Sequence, residues 1–115
     1  MKKIVIGLVI TLFFLTGCDK EQVQESELDK VLASNNYIVV DVRTNSEYQE
    51  SHAKNAINIP YDEINENTEL DKSKTILVYC KSGVRSSKAY NALKSLGYEV
   101  IDLGAYDTIP LEKIN

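Results

Sequence analysis

The chain has 115 residues, and its 17 acidic residues outnumber its 13 basic ones, which gives a formal net charge of −4 at pH 7. This balance excludes a basic nucleic-acid-binding footprint, so we expect no nucleic acid among its partners. With one histidine and two cysteines the chain lacks the ligands of an ordinary protein-held zinc site, and we expect neither a metal nor a cofactor.

The first residues carry the pattern of a lipoprotein signal peptide. Met1-Lys2-Lys3 is a short basic start, and an apolar run over residues 4–15 follows it. The run is shorter than the ~18 residues that a membrane-spanning helix needs, so a permanent transmembrane segment is the weaker interpretation. Leu15-Thr16-Gly17-Cys18 resembles a bacterial lipobox. The resemblance implies cleavage before Cys18, lipidation of Cys18, and a location at the extracytoplasmic face of the cell membrane, with an ordinary secreted protein as the alternative.

Three regions are therefore expected: a signal peptide over residues 1–17, a lipidated and polar tether over 18–27, and one small domain over 28–115. Cleavage would remove two lysines and no acidic residue, which leaves 11 basic and 17 acidic residues and a net charge of −6. Once Cys18 is lipidated, Cys80 has no partner within the chain. A lone thiol in an oxidising compartment is open to oxidation unless its reactivity is used or shielded, which favours a catalytic role for Cys80.

The domain is predicted to begin with a helix, a strand and a second helix. The first helix is expected over residues 27–34. The β-branched run 37–40 is typical of a strand that is buried on both sides of a parallel sheet. That strand delivers Asp41 and Arg43 to its carboxyl end, and a short helix over 46–49 follows.

The second half of the domain continues the alternation. We expect, in chain order, a strand over 56–59, a helical turn over 61–64, a strand over 75–79, a helix over 86–96 and a strand over 99–103. This order predicts an α/β fold, with a small parallel sheet flanked by helices on both faces. Ligand sites in such sheets lie at the carboxyl ends of the strands.

The most informative segment joins the third strand to the helix after it. Cys80 follows the apolar strand directly, and Lys81-Ser82-Gly83-Val84-Arg85-Ser86 forms a tight loop into the helix. Unpaired backbone N–H groups, the positive end of the helix dipole and the Arg85 guanidinium all favour an anion there. We expect the Cys80 thiol to ionise readily and, with access from solvent, to act as a nucleophile. The alternative is a cysteine packed as a small hydrophobic residue.

Several segments resemble the signature of the rhodanese-like domain family. They are Asp41-Val42-Arg43-Thr44-Asn45-Ser46-Glu47-Tyr48, Ser51-His52-Ala53-Lys54-Asn55-Ala56-Ile57-Asn58-Ile59-Pro60, the loop from Cys80 to Arg85, and Leu103-Gly104. The resemblance covers about residues 28–106. It implies a sulfurtransferase with a rhodanese-like fold, in which a cysteine takes up a sulfane sulfur as a persulfide and passes it on.

The resemblance also implies a role for each residue of the loop. Cys80 would be the nucleophile, and the persulfide anion would be held by the backbone N–H groups of Lys81, Ser82, Gly83, Val84, Arg85 and Ser86. Arg85, assisted by Lys81, would attract a small anionic donor such as thiosulfate. Gly83 would let the loop turn inward, and Ser86 would cap the helix or donate to the sulfur. Cyanide, a small thiol and a thioredoxin-like protein all stay open as acceptors.

Three residues outside the loop are expected to support the site. Asp41 is expected to pair with the backbone or with Arg43 beneath the site, and Arg43 is a candidate for the border of the pocket. His52 is expected to organise the chain before the second strand. No histidine–cysteine dyad is predicted.

Two other functions stay open. Cysteine phosphatases and arsenate reductases also place a cysteine-to-arginine loop at such a junction. Their loop holds five residues between the cysteine and the arginine, whereas four lie between Cys80 and Arg85. The shorter loop suits a single sulfur atom and favours sulfur transfer. The second alternative is a non-catalytic persulfide carrier or partner-binding module, which an intact Cys80 does not distinguish from an enzyme.

The sequence departs from the family pattern at several positions. Ser51 and Asn55 stand where glycines are usual, and asparagine tolerates left-handed backbone better than serine does. After Leu103 the chain has one glycine, Gly104, where the family commonly has a pair, and the final helix is expected to be shortened or lost. That loss would widen access to Cys80 or hand the surface to a partner.

Overall fold

The computed structural model describes residues 26–115. The helices of this part of the chain are α1 (Glu27–Ser34), α2 (Asn45–Glu50) and α3 (Val84–Ser95), with single 3-10 turns at Tyr61–Glu63 and Tyr106–Thr108. The strands are β1 (Tyr37–Asp41), β2 (His52–Ala53), β3 (Ile57–Asn58), β4 (Thr75–Cys80), β5 (Glu99–Ala105) and β6 (Lys113–Ile114). The predicted signal peptide, the lipobox and Cys18 lie outside the described residues.

Helix α1 begins at Glu27. The helix starts where the sequence predicts, because Ser26 caps it: the Asp29 N–H donates to the Ser26 hydroxyl over 3.1 Å, and Asp29 accepts the Ser26 N–H in return over 3.3 Å.

The main sheet is parallel throughout, in the order β3-β1-β4-β5. The apolar strands β1 and β4 occupy its centre, and they pair in register from Tyr37 with Thr75 to Asp41 with Tyr79. This arrangement confirms the predicted α/β fold with a parallel sheet flanked by helices. It also brings Asp41 and Cys80 to the same edge of the sheet, because the strands run in one direction.

Helix α3 packs on one face of this sheet and closes the core. Val40 and Val78 on the strands and Ala89 and Leu93 on the helix are fully buried in one cluster. Each fully buried side chain of valine or leucine size contributes about 1.5–3 kcal/mol to folding. The helix ends at Ser95, and Gly97, which follows the cap residue Leu96, takes the left-handed φ of 96° that the sequence predicts. The helix is therefore fixed at its end by a cap and along its length by packing.

A bulge on β5 lies next to the loop after Cys80. Val78 pairs with Asp102 and Tyr79 pairs with Gly104, so Leu103 is an extra residue on that strand. Gly104 takes a φ of 84°, which a residue without a side chain adopts at little cost. A Cβ placed on Gly83 would lie 4.0 Å from the Gly104 Cα, so the bulge brings β5 directly under the loop.

From Tyr106 onward the structure has no α-helix, which agrees with the expectation that the final helix is shortened or lost. A single 3-10 turn at Tyr106–Thr108 is followed by β6, which pairs antiparallel with β2 through His52 with Ile114 and Ala53 with Lys113. Each strand has two residues, which are too few to show the alternation of apolar and polar residues that predicts a strand. The two strands are also far apart in sequence. Local patterning therefore does not predict them.

The two positions where glycines are usual have different backbones. Asn55 has a left-handed φ of 67°, which asparagine tolerates. Ser51 has a φ of −169°, which is extended backbone that any residue adopts. The serine therefore causes no strain at this turn.

Candidate active site

Cys80 is the last residue of β4, and residues 81–83 connect it to α3. Gly83 has a φ of 101°, and its N–H points back and donates to the Cys80 Sγ over 2.8 Å. The first turn of α3 adds further donors, because the N-terminal N–H groups of a helix have no partner within it. The sulfur therefore sits in a cradle of backbone donors at the positive end of a helix.

This cradle lowers the pKa of the Cys80 thiol. Burial on its own would raise the pKa. The hydrogen bonds of the Ser86 hydroxyl and of the backbone N–H groups of Ser86, Gly83 and Ser82 outweigh burial and bring the pKa below its ordinary value. The fraction of thiolate at neutral pH is raised accordingly.

The other predicted cradle residues lie around the sulfur without donating to it. Within residues 26–115, we find no hydrogen bond to Sγ from Lys81, Val84 or Arg85. Lys81 and Val84 are exposed on the outer side of the loop, and Val84 keeps 62% of its surface in solvent. Among the predicted six, the Gly83 N–H is thus the donor in direct hydrogen-bond geometry with Sγ, and Ser82 and Ser86 also lower the pKa of the thiol.

The expected access of solvent to Cys80 is not seen. Cys80 has no exposed surface, and the Gly83 N–H donates to its sulfur. The shortened C-terminus therefore does not open the site.

Arg85 is bound to Glu47 of helix α2. Its Nη1 lies 2.9 Å from Glu47 Oε1, and its Nη2 lies 3.1 Å from Oε2. The hydrogen bonds of Arg85 lower the pKa of Glu47 to about 2, and those of Glu47 raise the pKa of Arg85. The guanidinium expected to attract the donor is thus already paired with a carboxylate.

Sequence reasoning gave Glu47 no role beyond its place in the motif. A local signal was present, since Thr44-Asn45-Ser46-Glu47 is a capping box, in which the Thr44 hydroxyl accepts the Glu47 N–H and Glu47 accepts the Thr44 N–H. That signal predicts a helix start, and it does not predict an ion pair with a residue 38 positions away.

Asp41 and Arg43 form a buried pair at the end of β1. Arg43 Nη2 lies 2.6 Å from Asp41 Oδ2, and the Arg43 backbone N–H donates to Oδ1 over 2.9 Å, so Asp41 contacts both backbone and side chain. Arg43 also donates to the Ser51 carbonyl over 2.6 Å and lies 4.3 Å from the centre of the Tyr106 ring. With 5% of its surface exposed, Arg43 lies within the framework and does not border an open pocket.

Tyr79 connects this pair to the neighbouring chain segments. Its hydroxyl donates to Asp41 Oδ2 over 2.7 Å and accepts the Ala53 N–H over 2.9 Å. Its ring stacks on Tyr106 with 5.4 Å between the ring centres. Burial raises the pKa of Tyr79, so its hydroxyl stays protonated and keeps donating.

His52 is part of the framework around α2. Its Nδ1 donates to the Tyr48 carbonyl over 2.8 Å, and its ring stacks on the Tyr48 ring with 3.8 Å between centres. The Tyr48 hydroxyl in turn donates to the Ala56 carbonyl over 2.6 Å. These contacts fix the chain between α2 and β3.

The described chain outside the Cys80 loop offers a cavity and no cluster of reactive side chains that could hold a metal. From Ser26 onward, no group of histidine, cysteine and acidic side chains could hold a metal ion, and no helix has the length and apolarity to cross a membrane. A cavity of about 530 Å³ lies near the start of β1, where Tyr37, Lys54 and Glu112 line it. It shares no residue with the loop from Cys80 to Ser86.

Comparisons with known proteins place this geometry in a family. A model described as "Rhodanese-like domain" matches residues 24–106. The thiosulfate sulfurtransferase PspE of Escherichia coli strain K12 is 37% identical over 79 residues, which cover 65% of this chain and 76% of that protein. A tRNA uridine(34) hydroxylase of Rickettsia bellii is 29% identical over 109 residues, which cover 88% of this chain and 44% of that protein.

Solved structures give the same result for the fold. A "rhodanese with anions from E. coli" has a TM-score of 0.63 and 33% identity, over 69% of this chain and 98% of that chain. The BH2092 protein from Bacillus halodurans has a TM-score of 0.60 and 36% identity, over 70% of this chain and 61% of that chain. These matches confirm the resemblance drawn from the sequence motifs.

Proposed function

Because this chain belongs to the rhodanese-like domain family, we propose that it moves a sulfane sulfur from an anionic donor such as thiosulfate to a thiol or cyanide acceptor, through a persulfide on Cys80. Its similarity to a thiosulfate sulfurtransferase supports sulfur transfer at the level of the family. The observation that carries the proposal is the cradle around Sγ, whose hydrogen bonds lower the pKa of the thiol.

The proposed reaction has two displacement steps. The Cys80 thiolate attacks the outer sulfur of thiosulfate, the sulfur–sulfur bond of thiosulfate breaks, and sulfite leaves with the bonding electron pair. The persulfide anion is then held by the donors of Gly83 and Ser86. An acceptor thiolate or cyanide attacks the outer sulfur of the persulfide and regenerates the Cys80 thiolate. No redox partner is needed, because each step exchanges one sulfur bond for another.

The burial of Cys80 favours a second candidate, a persulfide carrier with little turnover. A sulfur without exposed surface is protected from solvent, and a covered persulfide would be released only to a partner that moves the loop. A thioredoxin-like protein has the chemistry of such a partner. The tRNA hydroxylase reaction is not carried over, because this chain spans 44% of that protein.

We also propose that Cys18 is lipidated and holds the protein at the extracytoplasmic face of the cell membrane. The support is the lipobox-like Leu15-Thr16-Gly17-Cys18 after a basic start and an apolar run. The membrane would be a partner through that lipid.

Intact-mass spectrometry tests the sulfur-transfer proposal. The reduced full chain is exposed to thiosulfate and examined without reductant. Two variants are treated in the same way: Cys80→Ser and, as a control that removes the other thiol, Cys18→Ser. We expect wild type and Cys18→Ser to gain one sulfur atom and Cys80→Ser to gain none. Cyanide should discharge the adduct as thiocyanate over repeated cycles.

Other results would change the assignment. If wild type gains no sulfur, thiosulfate is not the donor. If it gains sulfur that is released once and slowly, the carrier is the better description. Hydrolysis of an aryl phosphate that Cys80→Ser abolishes would support the phosphatase alternative.

A further inference from the structure

We propose that Glu47 is a specificity-determining residue: by pairing with Arg85 it removes net positive charge from the site and weakens the binding of doubly charged oxyanions. The proposal rests on the proposed function and deepens it, because thiosulfate and the departing sulfite are both dianions.

The pair is well formed and lies close to the sulfur. Two nearly parallel hydrogen bonds of 2.9 and 3.1 Å join the guanidinium to the carboxylate, the arrangement that arginine makes best. Both side chains are 26% exposed, so water screens the pair only in part. Arg85 lies in the first turn of α3, two residues after Gly83, whose N–H donates to Sγ. The hydrogen bonds of Glu47 are the main cause of the raised pKa of Arg85, and the negative charge of the Cys80 thiolate adds to them.

The groups that contact the sulfur are neutral. They are backbone N–H groups and the Ser86 hydroxyl, whose dipoles stabilise a single negative charge in a small cradle. A doubly charged oxyanion needs a countercharge as well, since it gives up more hydration on entering. Arg85 and Glu47 together carry no net charge, and Lys81 is exposed to solvent. The site therefore matches a sulfur atom with one charge better than an oxyanion with two.

The pairing of Glu47 with Arg85 also affects the release of the product, sulfite. A free Arg85 would bind thiosulfate more tightly, but it would hold sulfite more tightly too. Stronger binding that is shared by substrate, transition state and product lowers KM and does not raise kcat. Because Glu47 neutralises the charge of Arg85, sulfite binds less tightly and dissociates more readily.

Glu47 also caps α2, and this second role must be separated from the first. Glu47→Gln removes the charge and keeps an oxygen that accepts the Thr44 N–H. Thr44→Ala removes the capping hydroxyl, which also donates to Glu47 Oε1 over 3.0 Å, and keeps the charge of Glu47. Glu50→Gln makes the same change in net charge on an exposed residue of the same helix. Comparison of the three variants isolates the effect of the charge beside Arg85.

Calorimetric titration of the reduced full chain with sulfate is the test, because it requires no sulfur transfer. We expect Glu47→Gln to bind sulfate about three- to tenfold more tightly than wild type, the range that a partly exposed ion pair supports. Thr44→Ala and Glu50→Gln should bind sulfate as wild type does. In Glu47→Gln/Arg85→Gln the gain should be lost. If Glu47→Gln does not fold, Glu47→Met, which also lacks the charge, takes its place.

Steady-state kinetics supply the second readout. In Glu47→Gln the KM for thiosulfate should fall three- to tenfold, kcat should not rise, and sulfite should inhibit more strongly. Unchanged or weaker sulfate binding in Glu47→Gln, or an equal gain in Glu50→Gln, overturns the proposal. If Glu47→Gln gains sulfate affinity while no variant accepts sulfur from thiosulfate, the assignment of Glu47 stands and the proposed function fails.

Discussion

Ser86 has one hydroxyl proton and two acceptors within its reach. Its Oγ lies 3.1 Å from the Gly83 carbonyl oxygen, and the same hydroxyl lowers the pKa of Cys80 by donating to the sulfur. A hydrogen bond to a charged acceptor is about twice as strong as one to a neutral acceptor. The proton therefore favours the sulfur once the thiolate or persulfide forms, so the donor acts where charge develops.

Replacement of Ser86 by alanine should make Cys80 a weaker acid. The Cys80 thiolate loses one hydrogen-bond donor, so the pKa of the thiol rises in this variant. The thiolate reacts with iodoacetamide, so the midpoint of the alkylation rate against pH should move upward and the rate at pH 7 should fall. Ser87→Ala, a change at the exposed neighbouring serine, should leave the midpoint in place. An unshifted midpoint in Ser86→Ala would mean that backbone N–H groups alone set the pKa.

The sequence is a good guide to residues that act locally and a poor one to pairs that form across the fold. Asp41 and Arg43 are two positions apart, and their contact follows from a strand end. The partner of Arg85 lies 38 positions away on another helix, and only the packing of α2 near α3 brings the two together. The burial of Cys80 likewise depends on how far the loop closes, which spacing does not reveal.

A buried charged network ties the end of β1 to the end of β4 and to the C-terminal segment. Asp41 contacts Arg43 and Tyr79, and Arg43 lies against the Tyr106 ring. Each charge is buried, so its interactions with its partner must replace the interactions with water that it lost on folding. The network holds the strand ends beneath the Cys80 loop.

Loss of the carboxylate charge from this network should destabilise the domain strongly. Asp41→Asn leaves the Arg43 guanidinium buried beside a neutral amide, which costs about 3–5 kcal/mol when a buried pair loses one member. Urea unfolding at pH 7, followed by circular dichroism, measures the loss. Asp62→Asn, at an exposed aspartate, should change the midpoint little. Equal midpoints for the two variants would contradict the role given to the network.

The elements that the sequence predicts are those with a period long enough to detect. The apolar run of β4 and the stripe of α3 both extend over several residues, and their bounds agree with the structure within one or two positions. The two-residue strands β2 and β6 have no period of their own. The bulge at Leu103 is set by pairing with β4. These features arise from tertiary contacts, so they become visible only in the folded chain.

For the whole molecule, the proposed lipid on Cys18 decides where the chemistry takes place. In bacterial cells fed labelled palmitate, the full chain should become labelled and enter the detergent phase on Triton X-114 partition, because two or more acyl chains give stable membrane attachment. Cys18→Ser should stay unlabelled and aqueous, whereas Cys80→Ser should behave as wild type. Label that persists in Cys18→Ser would remove the lipobox interpretation.

The burial of the Cys80 sulfur also affects whether two copies of the protein can form a disulfide with each other. A disulfide needs two sulfur atoms about 2.05 Å apart, with a dihedral angle of about 90° around the bond that joins them. Cys80 has no exposed surface, so two folded copies cannot bring their thiols into contact unless the surroundings of the sulfur open. If the lipid proposed on Cys18 crowds copies at an oxidising membrane face, this burial would protect each thiol from a crosslink with its neighbour.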